Sequence, residues 1–258
     1  MMKGLSMRWW WSALFATYSW SLHAACYTVM IYHGANPPYS FESNGQFSGL
    51  FVDIFDEISA QTGLCFEYLP VSVARGQRLF EKGEIDIEPG VSPTWRQEST
   101  NPGIYSYFYA RSREIILARV GPILTSPEQL YGKVIGRVRG YRYGGFEVHF
   151  NRENETNKIT VYDNTSEREL LAQLYHQRFD YMMIGDITAD YYKLTQPEYR
   201  SFQEVYEISN LPVAMRIQPR LSSLRDTLNQ VLEKMVNSGD VARIYAQYGS
   251  RMDESNEP

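Results

Sequence analysis

The stretch of the sequence with the clearest chemical potential is GEIDIEPGVSPTWR, residues 83–96. Ile85–Glu88 has the pattern of a short strand, and the Gly/Ser/Pro-rich loop after it brings Trp95 and Arg96 side by side. Arg96 carries a fixed positive fork suited to a carboxylate, and Trp95 is a large flat contact surface. Loops beyond the carboxyl ends of strands are where open α/β sheets bind ligands. The stretch therefore predicts a ligand site, although a surface salt bridge beside a packed tryptophan would explain the same residues.

Other polar side chains are weaker candidates for the same chemistry. Arg142 lies in a loop after a predicted strand, where binding residues tend to occur. Glu88 and His33 follow apolar runs, and each could face a ligand or serve the structure alone. His149 and His176 fall on predicted helices and are interpreted as structural or surface residues. The sequence contains no recognisable nucleophile–base pair, phosphate loop, dinucleotide fingerprint or metal-ligand spacing, so no cofactor or metal is expected.

The N-terminus has the pattern of a secretory signal peptide. Two basic residues precede the apolar run Trp9–Trp20, and small residues follow, so cleavage is expected after Ala24 or Ala25 and residues 1–24 are assigned to the leader. Removal leaves about 233 residues, enough for two small domains or one large one. It also lowers the basic count from 25 to 23 against 30 acidic residues, a net charge of −7. A mildly acidic exported chain is a poor candidate for binding nucleic acid, and a periplasmic location is expected.

Both cysteines of the chain, Cys26 and Cys65, remain after this cleavage, and each opens an apolar, strand-like run. In an exported chain an even number favours a disulfide, and two buried thiols are the alternative. If the two runs are adjacent parallel strands, the Cα atoms can approach to the ~4.4–6.8 Å that a disulfide allows. We therefore predict a Cys26–Cys65 bridge.

Hydrophobic periodicity predicts two α/β units in tandem, followed by one strand and two amphipathic helices. The first unit alternates strand and helix and ends in the Arg96 loop, so a parallel sheet with right-handed crossovers is expected. The predicted strands are Tyr27–Tyr32, Cys65–Val71, Ile85–Glu88, Glu114–Val120, Val134–Val138, Ile159–Tyr162, Phe179–Ile184 and Pro212–Ile217. Helices are predicted around 51–58, up to Phe80, from Ser126, from Ser166, at Tyr191 and over 221–235 and 240–248.

The final strand and helices are too small for a domain and must complete one of the two units. If they return to the first unit, the chain crosses between the units twice, near Ile115–Ala118 and near Ile208–Ala214. Two lobes joined by two crossings form a hinge, and the cleft between them is then the expected site. We predict lobe 1 over residues 25–115 plus 213–250, lobe 2 over 116–212, and a disordered tail over 251–258.

The chain resembles the periplasmic solute-binding proteins of family 3, the type II bilobal proteins that feed polar amino-acid importers. The resemblance covers nearly all of the mature chain and is carried, in order, by NPPYSFESNGQFSGLFVDIFDEIS, GEIDIEPGVSPTWR, SPEQLYGKVIGRVRG, RFDYMMIGDITADYY and SGDVARIYAQYG. It implies an α/β fold of two lobes, each a mostly parallel sheet flanked by helices. It also implies a monomer without enzymatic activity that binds a small solute and docks on an ABC permease.

The same resemblance implies roles for individual residues. Arg96 matches the arginine that grips the ligand carboxylate, and the backbone of Gly90–Ser92 matches the loop that contacts the ligand's polar head. Gly140 begins the second-lobe turn, where backbone N–H groups at a helix start can hold an anion. Tyr141-Arg142-Tyr143 stands there in place of small hydroxyl residues, and two arginines with two tyrosines suit an anionic or aromatic ligand.

The sequence also departs from the family pattern. The loop before Arg96 is shorter than usual, and Asn36 stands where an aromatic residue commonly stacks on the ligand. The aspartate that grips the ligand ammonium aligns with Gly185, one position before Asp186. The candidate ligand-binding residues are His33, Asn36, Tyr39, Gly90, Val91, Ser92, Trp95, Arg96, Gly140, Tyr141, Arg142 and Asp186.

A receptor for a small anionic solute, an amino acid or a related acid, is the leading interpretation. One alternative is an enzyme, because cyclohexadienyl dehydratases resemble family 3 proteins; Glu88 and Asp186 would then be the acid/base candidates. A stand-alone ligand sensor is another alternative.

Overall fold

The computed structural model describes residues 26–32, 37–139, 141, 143–150 and 158–250. The predicted leader and the predicted disordered tail, together with His33, Asn36, Gly140 and Arg142, lie outside the described residues.

One large sheet and one small hairpin contain the strands of the described residues. The strands are β1 Tyr27–Tyr32, β2 Phe41–Ser43, β3 Gln46–Ser48, β4 Phe66–Val71, β5 Ile87–Val91, β6 Ile104–Tyr105, β7 Ala110–Ala118, β8 Val134–Val138, β9 Thr160–Asn164, β10 Tyr181–Gly185 and β11 Gln203–Ile217. The large sheet has the order β4-β1-β5-β11-β7-β10-β8-β9, with β6 paired to β11, and β2 and β3 form the hairpin. The helices are α1 Leu50–Thr62, α2 Val73–Glu81, α3 Glu167–Tyr175, α4 Asp186–Thr195, α5 Ser222–Asn237 and α6 Asp240–Gln247.

Two sets of parallel strands flank a central antiparallel pair. Strands β1, β4 and β5 are parallel, as are β8, β9 and β10. Between the sets, β7 and β11 run antiparallel; β11 pairs with β7 over Gln203–Val213 and with β5 and β6 over Ala214–Ile217. The predicted mixed α/β architecture is therefore confirmed, whereas the exact lobe boundaries stay a prediction.

Apolar residues alternate between the two faces of the sheet, and helices cover both faces. On β10, Met182 and Ile184 pack against the buried side of α3, and Met183 faces the opposite core. This is the two-residue period expected of a strand that is buried on both faces. Helix α1 buries Leu50, Ile54 and related residues against β1, β5 and β11, and ends at Gly63 in the left-handed conformation, as its periodicity predicts.

Two predicted elements differ most from the structure, and the strands predicted over Ile85–Glu88 and Glu114–Val120 are displaced to Ile87–Val91 and Ala110–Ala118. The helix predicted from Ser126 is a single 3-10 turn, Pro127–Leu130, because only Leu130 is buried and Gly132, at φ +76°, turns the chain into β8. The final strand, predicted to begin at Pro212, begins at Gln203 instead. Its first part carries polar residues and two register irregularities against β7, which hide the two-residue period in the sequence.

The predicted disulfide is confirmed. Cys26 and Cys65 are bonded with their Cα atoms 4.5 Å apart, immediately before the parallel pair β1 and β4. A bridge of this kind typically stabilises a folded domain by about 2–4 kcal/mol.

Candidate ligand-binding cleft

A cleft lies where the carboxyl ends of the two parallel sets meet. It encloses about 970 Å³ of empty space, part of it continuous with solvent. One side, named the arginine wall, consists of Tyr32 at the end of β1, Gly90 in β5, and Trp95 and Arg96 just after β5. The other side, named the carboxyl wall, consists of Glu114 on β7, Tyr141 after β8 and Glu167 at the start of α3. Strand ends of both sets thus form one site, as is general for open α/β sheets.

Several of the residues predicted from the sequence lie together in this cleft. Val91 and Ser92 are buried behind the arginine wall and do not line the cleft. Asp186 does not line it either, although Gly185 and Ile187 on each side of it do. The roles of the four candidates outside the described residues stay predictions. The candidates that line the cleft are Tyr39, Gly90, Trp95, Arg96 and Tyr141.

Gly90 allows the Phe51 ring to pack against the backbone of the arginine wall. Its φ is +63°, a conformation that glycine adopts without strain. A Cβ atom at this position would lie 2.5 Å from Cζ of Phe51. The Phe51 ring packs directly beneath Gly90 as a result, and stacks at 5.2 Å on the ring of Tyr39. Any larger residue at position 90 would displace this aromatic floor.

Arg96 lies at the end of a 3-10 turn, Pro93–Arg96, and is held by a buried carboxylate. Its Nη2 and Nε donate to Glu88 Oε1 at 2.6 Å and Oε2 at 3.3 Å, and its Nη1 donates to the Trp95 carbonyl at 3.1 Å. A guanidinium has five N–H groups, so one on each Nη is left for the Tyr32 hydroxyl, which lies beside it, and for a ligand. Arg96 can therefore meet an acid from the cleft while its inner edge is fixed.

Glu88 lies behind this wall and is paired on a second side. It is 1% exposed, and Arg216, which is 0% exposed, donates to its Oε2 at 2.9 Å. Gln77 donates to Oε1 at 2.6 Å. Arg216 also bonds the Pro102 carbonyl, Gln77, Ser99 and the Asn101 carbonyl, and stacks 4.0 Å over Phe80. Of the two readings of Glu88 that the sequence leaves open, the structure favours a supporting carboxylate for Arg96.

Arg111 is a second cleft arginine, and sequence reasoning missed it. It lies on β7, and its Nε and Nη2 donate to Asn210 Oδ1 at 2.6 Å and to the Asn210 carbonyl at 2.8 Å. Among the described residues no acid pairs with it. The sequence feature that could have revealed Arg111 is ARSRE, a charged run at the start of an otherwise apolar strand.

Asp186 does not line the cleft and belongs to a charge cluster. Its Oδ2 is 3.4 Å from Nη1 of Arg113, and its Oδ1 accepts from the Ile187 amide at 2.8 Å at the start of α4. Arg113 also pairs with Glu204 and Glu207 on β11. Burial raises the pKa of Asp186 to about 7, against the opposing effect of Arg113. This carboxyl group is thus engaged by the protein itself.

Glu114 and Glu167 are further cleft residues that sequence reasoning missed. Burial, followed by the charges of Glu167 and Asp186, holds the pKa of Glu114 well above its usual range. Burial alone raises the pKa of Glu167 to about 7. In the sequence Glu167 resembles an ordinary acid in the first turn of a helix capped by Ser166, so only the position of α3 reveals its role.

The described residues contain no group of three or more His, Cys, Asp or Glu side chains that could hold a metal ion. None of the helices in this part of the chain is long and apolar enough to cross a membrane.

Comparison with solved structures identifies the fold as that of the type II periplasmic binding proteins. Residues 28–251 match the family described as bacterial extracellular solute-binding proteins, family 3, and the chain belongs to this family. Among curated proteins, none is significantly similar to the chain in sequence.

Three solved structures illustrate the similarity. The arginine-, lysine-, histidine-binding protein ArtJ of Geobacillus stearothermophilus is 18% identical, with a TM-score of 0.68 over 90% of this chain and 99% of its own. The GluR0 ligand-binding core in complex with L-glutamate is 18% identical, with a TM-score of 0.71 over 88% and 100%. The ancestral amino acid-binding protein AncCDT-1, a precursor of cyclohexadienyl dehydratase, is 18% identical, with a TM-score of 0.69 over 87% and 96%. At this identity the similarity concerns the fold.

Proposed function

We propose that the chain is a periplasmic receptor that captures a small solute with an acidic group, an amino acid or a related acid, for an ABC-type importer. The observation that carries the proposal is the state of Arg96, which is fixed by Glu88 on its inner edge and retains N–H groups toward the cleft. Arg111 adds a guanidinium without an acidic partner among the described residues. Arginines with free, oriented donors are suited to binding carboxylates.

The comparisons support the solute class without choosing a member of it. The named structural neighbours bind basic amino acids or L-glutamate, and an acidic group is common to these ligands. The Cys26–Cys65 bridge supports an oxidising compartment such as the periplasm, in agreement with the predicted leader. An importer as partner, and a monomeric receptor, are the expectations that go with this class.

The test begins with a thermal-shift screen of amino acids and organic acids, followed by calorimetry on the best solute. Arg96→Ala is expected to weaken binding at least about a hundredfold, roughly 2.7 kcal/mol, because the ligand acid loses its charged partner. Arg96→Lys should recover only part of this, since a flexible ammonium cannot reproduce the planar guanidinium that Glu88 holds in place.

The fold should survive Arg96→Ala, because Glu88 keeps Arg216 as a partner. Arg225→Ala, at an exposed ion pair on α5, is the matched control and should leave binding unchanged. Trp95 in the arginine wall should change its emission when the solute binds. An effect of Arg96→Ala below about threefold, or 0.65 kcal/mol, would remove the anchor from the proposal.

A second candidate function is supported by the carboxyl wall. Because burial raises the pKa of Glu167 to about 7, this carboxyl group can hold a proton near neutral pH, as a general acid must. One structural neighbour is a precursor of cyclohexadienyl dehydratase, so the corresponding reaction is elimination from a prephenate-type substrate. Glu88 and Asp186, the acids suggested by the sequence, do not line the cleft and are already paired with arginines. Turnover of prephenate that is lost in Glu167→Gln would favour the enzyme over the receptor.

A further inference from the structure

Arg111 brings a second positive charge into the cleft, and the described residues supply no acid to neutralise it. Its Nε and one N–H of Nη2 donate to Asn210, a neutral residue on β11. A guanidinium has five N–H groups, so two on Nη1 and one on Nη2 remain. The side chain is half-buried, and no ion pair within this part of the chain includes it. This cation is therefore oriented without being neutralised.

Arg113, two positions further along β7, shows how the same strand treats an arginine that serves the structure. It pairs with Asp186, Glu204 and Glu207. Partly buried charges are normally paired in this way, because removing a charge from water without a partner destabilises the folded state. Arg111 has only neutral acceptors and lines the cleft, so its remaining N–H groups are available to a ligand.

The charges around the arginine wall call for more than one negative charge on the solute. Glu88 is a single acid shared by Arg96 and Arg216, so this network keeps one net positive charge. Arg111 adds a second one. Burial raises the pKa of both acids of the carboxyl wall, which therefore carry less negative charge than two ordinary glutamates at the same pH. A solute with one acid would neutralise only one of the two positive charges.

Arg96 and Arg111 approach the cleft from the two sides of β11. Strands β5 and β7 both run antiparallel to β11, and Val91 and Ala110 lie opposite neighbouring residues of it. The two strands are therefore two strand spacings, about 10 Å, apart. The chain runs on from both in the same direction, toward Arg96 and Arg111. Two guanidinium groups placed in this way suit a small molecule with an acid at each end.

We propose that Arg111 binds a second acidic group of the solute, so that the preferred ligands carry two carboxylates. One acid meets Arg96, as in the proposed function on which this inference rests, and the other meets the free N–H groups of Arg111. Arg111 is then the residue that selects diacids over acids with one carboxylate. An L-α-amino diacid and a simple dicarboxylate both satisfy this requirement.

The experiment measures calorimetric affinities for diacids and for their monoamides. The matched pairs are succinate and succinamate, glutarate and glutaramate, and L-glutamate and L-glutamine. Within each pair the two molecules have nearly the same shape and differ by one negative charge. In the wild-type protein the diacid of at least one pair should bind about tenfold or more tightly, because hydrogen bonds between two charged groups are the stronger ones.

Variants then assign this preference to Arg111. Arg111→Gln keeps an amide donor near Asn210 and removes the charge. It should reduce the preference for the diacid to below about threefold and leave the affinity for the monoamide within about threefold of the wild type. Arg111→Lys restores the charge without the planar fork and should recover part of the preference. Arg225→Gln, at an exposed ion pair on α5, is the control and should leave both affinities unchanged.

The outcomes separate this inference from the proposed function. Equal binding within every pair, or a preference that survives Arg111→Gln, would overturn the inference while leaving an acid-binding receptor intact. A loss of affinity that is equal for diacid and monoamide in Arg111→Gln would also overturn it, because Arg111 would then only join β7 to β11. Failure of every probe to bind the wild-type protein would overturn the inference together with the proposed function.

Discussion

The two walls of the cleft handle buried charge in different ways. Behind the arginine wall, Glu88 lies between Arg96 and Arg216, and each of these side chains has partners at hydrogen-bond distance. On the carboxyl wall, Glu114 and Glu167 have no cationic partner among the described residues. The acid behind the first wall is thus paired with arginines, and the acids of the second wall have no such partner among the described residues.

This difference separates two requirements of a binding site. A guanidinium must be held in one orientation to meet a ligand, and a buried carboxylate with a second arginine behind it provides that support. A buried carboxyl group without a cationic partner lowers the stability of the folded protein. The arginine wall should therefore contribute to stability, and the carboxyl wall should reduce it.

The largest expected effect is the loss of stability when the buried arginine that supports the arginine wall is replaced. Arg216→Met removes a fully buried guanidinium that bonds Glu88, Gln77, Ser99 and two carbonyl groups. The free energy of unfolding should fall by about 3–5 kcal/mol, as when one partner of a buried ion pair is lost. Urea denaturation measures this difference. Arg225→Met on α5 is the control and should change stability by less than about 0.5 kcal/mol. A loss below about 1 kcal/mol for Arg216→Met would show that the network is not a support.

On the carboxyl wall, a substitution is expected to raise the free energy of unfolding, by a smaller amount. The pKa of Glu167 rises from 4.5 to about 7 on folding, so its ionisation increasingly favours the unfolded chain as pH rises through this range. Well below pH 4.5 the group is protonated in both states and has no such effect. Glu167→Gln should therefore match the wild type near pH 3 and exceed its free energy of unfolding at pH 8 by about 3 kcal/mol.

Denaturant titrations across pH test this second prediction. The raised pKa of Asp186 also makes the free energy of unfolding fall with rising pH. The contribution of Glu167 is therefore taken from the difference in unfolding free energy between the variant and the wild type. Glu169→Gln should give a difference that does not change with pH. A constant difference for Glu167→Gln as well would mean that its carboxyl group is solvated in the folded protein.

The sequence predicts those parts of the fold and the site that depend on residues close together in the chain. Local patterns predict α1 with its Gly63 end, β8 with the correct bounds, and the strand starts that make the Cys26–Cys65 bridge possible. Arg96 and Trp95 are found because strand, loop and side-chain type occur together in one short segment.

The rest depends on contacts between residues far apart in the chain. Arg216 reaches Glu88 across 128 positions, and its strand reads as an ordinary apolar run with one charge. Glu114 and Glu167 meet only because β7 and the start of α3 border the same cleft. The pairing of Arg113 with Asp186 likewise joins β7 to α4 and engages the aspartate that follows the position where the family's ligand-binding aspartate aligns.

The smallest expected effect on binding concerns that aspartate. Asp186→Asn keeps an acceptor for the Ile187 amide and removes only the charge facing Arg113, which retains Glu204 and Glu207. Because Asp186 does not line the cleft, affinity for the best solute should change less than about threefold, or 0.65 kcal/mol, by calorimetry. Arg96→Ala, measured alongside, gives the scale of a lost anchor. If Asp186→Asn weakens binding nearly as much as Arg96→Ala, the aspartate must leave Arg113 and grip the ligand ammonium when the solute binds.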